Sequence, residues 1–397
     1  MEHFVIRGKK PLVGQVKISG SKNATLPIMA ASLISNGEVV LRDVPDLEDI
    51  HVMSEALNLF GAKIRRDGDV LIINSQDVNY TKLPEHISRR MRASNLVMGA
   101  LLARFNEAKV AYPGGCAIGT RPMDLHHKGF ESLGFKITDG YGFMEGKAAN
   151  LQGTEILLDF PSVGATENIM MAATKIKGTT FIRNAAREPE IVDLQNFLNC
   201  MGARIVGAGF DTIRIDGVSE LGSAEYRIIP DRIEAGTFMV AAAITKGKIQ
   251  INNVIMEHIQ PVIAKLREIG VEISPTNKGL TVEANKRLRN TDIKTMPYPG
   301  FPTDMQAQMM ALLSTIKGTS IIVETIFENR FMHVQELRRM AADIKIEGRV
   351  AIIKGKNSLE GASVEATDLR AGAALVLAGL AAEGVSKVNQ IEHIDRG

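Results

Sequence analysis

The chain has 397 residues, 45% of them hydrophobic and 23% charged, with 47 basic and 45 acidic side chains and a formal net charge of +2. This composition is typical of folded globular proteins and excludes the disordered and membrane-embedded classes, and the length allows two or three domains. The charge balance and the absence of tryptophan exclude a basic or stacking surface for nucleic acid, so any anion must be bound by a few placed cations.

The cytoplasm is the predicted location. The N-terminal residues lack the apolar core of a secretory signal, and the longest apolar stretch, 371–382, is too short to cross a bilayer. The only cysteines, Cys116 and Cys200, provide no disulfide framework and no zinc cluster. Since His126 and His127 are adjacent, they cannot face one metal from a helix, and we expect no metal, no cofactor and no membrane partner.

An internal repeat of about 70 residues is the most informative pattern in the sequence. Each unit contains an apolar helix rich in small residues, an alternating strand, an amphipathic helix, and a glycine or its substitute before another strand. The closing element recurs every 68 to 73 residues as FGAKI (Gly61), LGFKI (Gly134), MGARI (Gly202), IGVEI (Gly270) and ADIKI (Ala342). The sequence therefore predicts five complete units and the beginning of a sixth.

The sequence predicts an unusual pattern of burial for its helices and strands. The helical stretches 238–245 and 371–382 are apolar on all sides, which indicates complete burial, whereas the strand 248–252 alternates between apolar and polar residues. A doubly wound sheet would show the opposite pattern. We therefore expect α/β domains in which half-exposed sheets wrap buried helices, with three units in each of two domains.

The predicted starts of the buried helices carry polar and charged residues, and four of them include a cation: Lys22, Arg92, Arg232 and Arg370. Helix N-termini bind anions through unpaired N–H groups. Taken one at a time, these residues are explained as helix caps with cations on the surface. Taken together, they favour a cleft for a multiply charged anion.

Cys116 lies in the glycine-rich segment 113–122, an exposed setting that does not suit a core thiol, and Arg121 follows closely enough to lower the pKa of the thiol. A turn with an incidental cysteine is the alternative. Cys200 is assigned to the apolar face of an amphipathic helix as inert packing. Asp304 precedes a helix behind three prolines, which suits a residue with a fixed direction, although a helix cap is the simpler explanation.

Several motifs in order along the whole chain resemble the UDP-N-acetylglucosamine 1-carboxyvinyltransferases, a family of enolpyruvyl transferases. They are 19–23 (SGSKN), the Cys116 segment with 121–125 (RPMDL), 187–190 (REPE), 231–236 (DRIEAG), 302–304 (PTD) and 328–333 (ENRFMH). The resemblance implies a two-domain inside-out α/β barrel built from six repeats. It also implies a discontinuous first domain, 1–21 and 230–397, and a second domain, 22–229, that carries the Cys116 segment.

The resemblance further implies that the chain transfers the enolpyruvyl group of phosphoenolpyruvate to UDP-N-acetylglucosamine, the first committed step of peptidoglycan synthesis. Cys116 would be the general acid, Asp304 the base and Lys22 a further catalytic residue. The implied phosphoenolpyruvate contacts are Lys22, Asn23, Arg121 and Arg396. The implied nucleotide-sugar contacts are Arg92, Arg121, Pro122, Met123, Asp124, Leu125, Ser162, Val163, Asp304 and Ile326, and the other active-site arginines are Arg232, Arg330 and Arg370.

Two alternatives stay open. The sister transferase that acts on shikimate 3-phosphate shares the barrel and the donor, but the cysteine segment and RPMDL point away from it. A binding protein that kept the fold would not need an acid–base pair. The family continues beyond 393–397 with another helix and strand, so we expect the sixth repeat to be truncated here.

Overall fold

The computed structural model describes residues 2–113, 119 and 123–397, so Cys116, Arg121 and Pro122 lie outside the described residues. The described residues form two compact units. The first comprises 2–19, 119 and 230–397, and the second comprises 20–113 and 123–229. Residue 119, predicted to belong to the second domain, falls in the first unit, and the other bounds differ from the predicted ones by up to two residues. The domain assignment stays a prediction.

Twelve α-helices occur in the described residues: α1 (Lys22–Ala31), α2 (Glu48–Phe60), α3 (Glu85–Ser88), α4 (Val97–Phe105), α5 (Asp124–Ser132), α6 (Val163–Ala173), α7 (Pro189–Cys200), α8 (Arg232–Ile244), α9 (Gln260–Ile269), α10 (Gln306–Ser314), α11 (Val334–Arg339) and α12 (Leu369–Ala381). Short 3-10 turns, Arg92–Leu96 and Thr303–Met305, precede α4 and α10. None of the described helices is long and apolar enough to span a membrane.

The strands of the first half are β1 (Phe4–Arg7), β2 (Val13–Lys17), β3 (Glu38–Arg42), β4 (Lys63–Asp67), β5 (Val70–Asn74), β6 (Lys82–Leu83), β7 (Glu107–Ala111), β8 (Phe135–Gly140), β9 (Phe143–Ala148), β10 (Glu155–Leu157), β11 (Thr179–Arg183) and β12 (Arg204–Val206). Those of the second half are β13 (Thr212–Asp216), β14 (Ala224–Arg227), β15 (Lys248–Asn252), β16 (Glu272–Thr276), β17 (Gly279–Glu283), β18 (Ile293–Lys294), β19 (Gly318–Val323), β20 (Asp343–Glu347), β21 (Val350–Gly355), β22 (Ser363–Glu365) and β23 (Val385–Asn389).

Each unit contains three sheets, and five of the six sheets share one arrangement among the described strands. One strand pairs parallel with its neighbour, and two further strands continue the sheet antiparallel. The orders are β2-β15-β17-β16, β18-β19-β21-β20, β14-β3-β5-β4, β6-β7-β9-β8 and β10-β11-β13-β12. The predicted repeat is therefore confirmed as a repeated sheet topology, whereas closure into a barrel stays a prediction.

The sixth sheet has three strands, β22, β23 and β1. β22 pairs parallel with β23, as in the other sheets, and β1 pairs antiparallel with β23, with Phe4 opposite Val388. The N-terminal strand thus occupies the third position of this sheet, where the other five sheets use a strand of their own repeat. The sequence analysis did not assign β1 to the sixth unit.

The predicted division between buried helices and half-exposed sheets is confirmed. The stretch 238–245 is buried except at the half-buried position 238, and the stretch 371–382 is buried except at the half-buried positions 373, 376 and 380. The amphipathic helix α9 buries one face, formed by Val262, Ile263, Leu266 and Ile269. β15 alternates between exposed or half-buried and fully buried positions. Each leucine-sized side chain buried in this way contributes about 1.5–3 kcal/mol, so the helix cores supply most of the stability of each unit.

The residue that ends the amphipathic helices adopts a left-handed backbone in all five complete units. Gly270 has a φ of 107° and ends α9, whereas in the fifth unit the equivalent residue is Ala341, with a φ of 65°. Ala342, the substitute expected from the sequence, lies one residue too late. In both units the next residue donates a backbone hydrogen bond five residues back, from Val271 to Leu266 and from Ala342 to Leu337.

Replacing Ala341 by glycine is expected to raise the free energy of unfolding by about 0.5–1 kcal/mol, because the relieved left-handed strain exceeds the added entropy of the unfolded chain. Gly270→Ala is the reciprocal control and is expected to cost about 1 kcal/mol. A Cβ at Gly270 would lie 3.6 Å from the Arg287 carbonyl oxygen, an ordinary contact. Urea unfolding with amide exchange in β16 and β20 measures both changes, and equal stability of Ala341→Gly and the parent would contradict the strain.

Candidate functional site

Asp304 lies between two arginines in the first unit. Arg330 donates to its Oδ1 and Arg370 to its Oδ2, each at 2.9 Å. Side-chain exposure is 26% for Asp304, 4% for Arg330 and 13% for Arg370. Asp304 makes no capping bond to the turn or helix that follows, so the helix-cap explanation is wrong for this residue.

The arginines also determine the charge of Asp304. Burial alone would raise the pKa of its carboxyl, but attraction to Arg370 and Arg330, with a smaller contribution from Arg232, holds the pKa well below its usual range. Asp304 is therefore an ionised carboxylate at neutral pH. Each of its oxygens accepts one guanidinium hydrogen bond and keeps a second lone pair, which leaves a site where a proton can be accepted.

A helix start and aromatic rings hold two of the predicted arginines of this unit in place. Arg232 is the first residue of α8, and its guanidinium lies 5.8 Å from the Tyr298 ring centre. Asp231 caps this helix by accepting hydrogen bonds from the N–H groups of Ile233 and Glu234. The Arg330 guanidinium lies 5.3 Å from the ring of Phe327. Such contacts fix the direction of a flexible side chain.

Two further predicted residues of this unit are Ile326 and Arg396. The backbone N–H of Ile326 donates to Glu324 at 2.8 Å. Arg396 is half-buried and follows the 3-10 turn Ile391–His393. Their substrate contacts stay predictions.

Lys22 is the first residue of α1 in the second unit. The Ser21 hydroxyl caps this helix by accepting from Ala24 N–H at 3.3 Å. The Lys22 ammonium lies 3.2 Å from Asp49 Oδ2, with side-chain exposures of 11% and 6%. Asn23 follows at a half-buried position. Lys22 is thus a largely buried cation, and the alternative that placed it on the surface is wrong.

A buried amide in the second unit links segments that neighbour the predicted nucleotide-sugar residues. Asn168 accepts from Gly99 N–H at 2.8 Å, donates to the Asn95 carbonyl at 3.2 Å, and lies 3.0 Å from Nδ1 of His126. These partners belong to the segment that starts at Arg92 and to α5. Burial first, then the charges of His127 and Arg92, lower the pKa of His126 to about 3, so the imidazole is neutral.

The other predicted residues of this unit lie at two helix starts. Met123 directly precedes α5, which begins with Asp124 and Leu125. Ser162 caps α6 by accepting from Ala165 N–H at 3.3 Å, and Val163 is the first residue of that helix. Within the described residues, no group of three or more potential metal ligands is present.

Comparison with known proteins identifies the family. The family model of EPSP synthase (3-phosphoshikimate 1-carboxyvinyltransferase) matches residues 6–397. UDP-N-acetylglucosamine 1-carboxyvinyltransferase 1 of Caldanaerobacter subterraneus subsp. tengcongensis is 61% identical over 99% of this chain and 95% of its own length. The chain belongs to the UDP-N-acetylglucosamine 1-carboxyvinyltransferase family. A second relative, UDP-N-acetylglucosamine 1-carboxyvinyltransferase 2 of Carboxydothermus hydrogenoformans, is 58% identical over all of this chain and 95% of its own length.

Solved structures show the same fold for this carboxyvinyltransferase family member. The enolpyruvyl transferase NikO from Streptomyces tendae aligns with a TM-score of 0.90 and 24% identity, over 100% of this chain and 94% of that chain. EPSP synthase from Acinetobacter baumannii aligns with a TM-score of 0.76 and 18% identity, over 99% and 94% of the two chains. The predicted enolpyruvyl transferase fold is confirmed.

A further prediction, for Cys200, is wrong, and three polar residues of the two units were not predicted. Cys200 is exposed at the end of α7, and its thiol donates to the Glu225 carbonyl at 3.7 Å, so its assignment to buried packing is wrong. Asp49, Asn168 and Glu324 were not singled out. Asn168 precedes an apolar run and Glu324 follows one, and that contrast was the available signal. Asp49 stands beside Glu48 in the first turn of α2, where an acidic residue is ordinary.

Proposed function

We propose that this chain transfers the enolpyruvyl group of phosphoenolpyruvate to the 3-hydroxyl of UDP-N-acetylglucosamine and releases phosphate. The observation that carries the proposal is the 61% identity with a UDP-N-acetylglucosamine 1-carboxyvinyltransferase over 99% of this chain. The reaction belongs to the cytoplasm, where it commits the nucleotide sugar to peptidoglycan, on which cell-wall biogenesis, cell shape and cell division depend.

Phosphoenolpyruvate carries a carboxylate and a phosphate, and we assign Lys22, Asn23, Arg121 and Arg396 to its binding. The position of Lys22 supports this assignment, because a largely buried ammonium already paired with Asp49 has lost much of its hydration. A bound anion then meets a fixed charge at little cost of reorganisation. Asp49 balances that charge while phosphoenolpyruvate is absent.

UDP-N-acetylglucosamine is assigned to Arg92, the segment 121–125, Ser162, Val163, Asp304 and Ile326. The network around Asn168 supports the part that includes Arg92, Asp124 and Leu125, because one amide links the segment after Arg92 to α5. A neutral His126 in this network avoids placing a further buried cation beside Arg92.

The chemistry is an addition followed by an elimination. The sugar hydroxyl attacks C2 of phosphoenolpyruvate and gives its proton to Asp304, while Cys116 protonates C3; phosphate then leaves C2 as C3 loses a proton. Each Asp304 oxygen keeps a lone pair for that proton beside its guanidinium hydrogen bond. Neutralising Asp304 weakens its ion pairs with Arg330 and Arg370, so that a guanidinium can turn toward the substrate. The same movement brings positive charge to the developing anion.

The test is phosphate release from phosphoenolpyruvate with each acceptor supplied separately. UDP-N-acetylglucosamine should support release and a product heavier by one enolpyruvyl group, whereas shikimate 3-phosphate should not. Release with shikimate 3-phosphate alone would assign the chain to the sister reaction. Binding of both proposed substrates without release would indicate a binding protein.

A further inference from the structure

Glu324 is a buried carboxylate to which none of the assignments above gives a role. It follows β19 and is 1% exposed. Its Oε1 accepts from the Thr295 hydroxyl at 2.9 Å and from the backbone N–H groups of Ile326 and Phe327 at 2.8 and 3.2 Å. Its Oε2 accepts from the Thr303 hydroxyl at 2.9 Å. Both oxygens are therefore held by donors from three separate segments.

Two of those segments carry the ion pair of the candidate site. Thr303 directly precedes Asp304, and Phe327 leads into the turn 328–333, which contains Arg330. The ring of Phe327 also supports the Arg330 guanidinium, at 5.3 Å. One carboxylate thus links the backbone that carries Asp304 to the backbone that carries Arg330.

Holding a buried turn with a carboxylate has a free-energy cost. Removing its charge from water costs free energy that an apolar side chain of similar volume avoids. A carboxylate offers two rigidly spaced acceptor oxygens, however, and can receive several donors at once. That property suits a position where the distance between two segments must be fixed and where filling the space between them is not enough.

We propose that Glu324 is a positioning residue for the transfer reaction, holding Asp304 and Arg330 at the separation that proton transfer requires. The inference rests on the proposed function and deepens it. Glu324 acts through Thr303 and through the turn after β19, without touching substrate. Small displacements of a reacting group reduce rates strongly, by about a hundredfold for 1 Å.

The test uses Thr303, because its hydroxyl is the link between Glu324 and the Asp304 turn. Thr303→Val removes that donor and keeps the shape, whereas Thr303→Ser keeps the hydroxyl. We expect Thr303→Val to lower kcat by about tenfold to a hundredfold, with the KM for phosphoenolpyruvate unchanged, and Thr303→Ser to restore most of the rate. All variants are assayed well below their melting temperatures.

Two further variants separate positioning from stability. Glu324→Gln keeps one carbonyl oxygen for Thr295, Ile326 and Phe327, and its amide can donate to the Thr303 oxygen, so kcat should fall less than in Thr303→Val. Thr291→Val is the matched control, since the Thr291 hydroxyl donates to Glu268 of α9 in another Thr–Glu pair. It should lower the melting temperature without changing kcat.

A normal kcat in Thr303→Val, with only a lowered melting temperature, would overturn the positioning role while the proposed function stands. A rate lost equally in Thr303→Val and Thr303→Ser would also overturn it, because the hydroxyl would then be irrelevant. A parent chain that releases no phosphate from the two substrates would overturn the proposed function and this inference with it.

Discussion

Replacing Asp304 by asparagine is expected to lower kcat at least about a hundredfold, the usual scale of acid–base catalysis. Asparagine keeps the shape and an acceptor oxygen for Arg330 or Arg370 but cannot take the hydroxyl proton. Binding of UDP-N-acetylglucosamine, measured by calorimetry, should weaken far less. Asp292→Asn is the control, because Asp292 accepts a structural bond from Ile321 N–H in the same unit and should leave kcat unchanged.

The pH dependence of stability gives a second measurement on Asp304→Asn. The pKa of Asp304 lies well below that of an aspartate in an unfolded chain, about 3.9, so its ion pairs stabilise the fold at pH values above that figure. This contribution is lost as the pH falls below about 3.9, because the unfolded chain then binds more protons than the folded chain. The stability difference between parent and variant should therefore shrink below about pH 4. A near-normal kcat with a large, pH-dependent loss of stability would make Asp304 purely structural.

Replacing Cys116 by alanine is expected to abolish measurable turnover or reduce kcat by about a hundredfold to ten-thousandfold, the range for loss of a general acid. Cys116→Asp should retain part of the rate, because a carboxylic acid can also donate a proton to C3. Cys200→Ala should leave kcat unchanged. Retained activity in Cys116→Ala would remove the thiol from the mechanism.

Covalent labelling distinguishes the two thiols. Because Cys200 is exposed, the experiment uses one reagent for surface thiols and a second reagent directed to Cys116. A neutral maleimide should label Cys200 readily, since this thiol lies at the surface. A small epoxide carrying a phosphonate should instead alkylate Cys116, with the anion bound by Arg121, and inactivate the enzyme. Saturating phosphoenolpyruvate should slow only the Cys116 label, as measured by peptide mass spectrometry. A phosphonate label on Cys200 would contradict the assignment.

The repeat and its burial pattern were predictable because they depend on local periodicity. The burial of most of the apolar stretches 238–245 and 371–382, and of one face of α9, follows directly from residue spacing. The place of β1 was not predictable in this way. Its partner β23 lies at the opposite end of the chain, and strand pairing between distant segments leaves no periodic trace in either one.

The candidate residues were predictable mainly as a set, through the resemblance of their motifs. Their partners were not, because the side chains that hold them come from elsewhere in the chain. Asp49 is 27 residues from Lys22, and Arg370 is 66 residues from Asp304. Asp304 looked like a helix cap because a helix follows it. Its carboxylate is bound by Arg330 and Arg370 instead and makes no capping bond.

The placement of β1 and β2 has a consequence for synthesis on the ribosome. β2 pairs with β15, more than 230 residues later, and β1 must wait longer still for β23. At roughly 5–20 residues per second, these strands emerge about 10 s or more before their partners exist. Residues 20–229 can meanwhile assemble their own three sheets. Most side chains of β1 and β2 are exposed even in the finished fold. While they lack their partners, these two strands therefore expose little side-chain surface that the finished fold would bury.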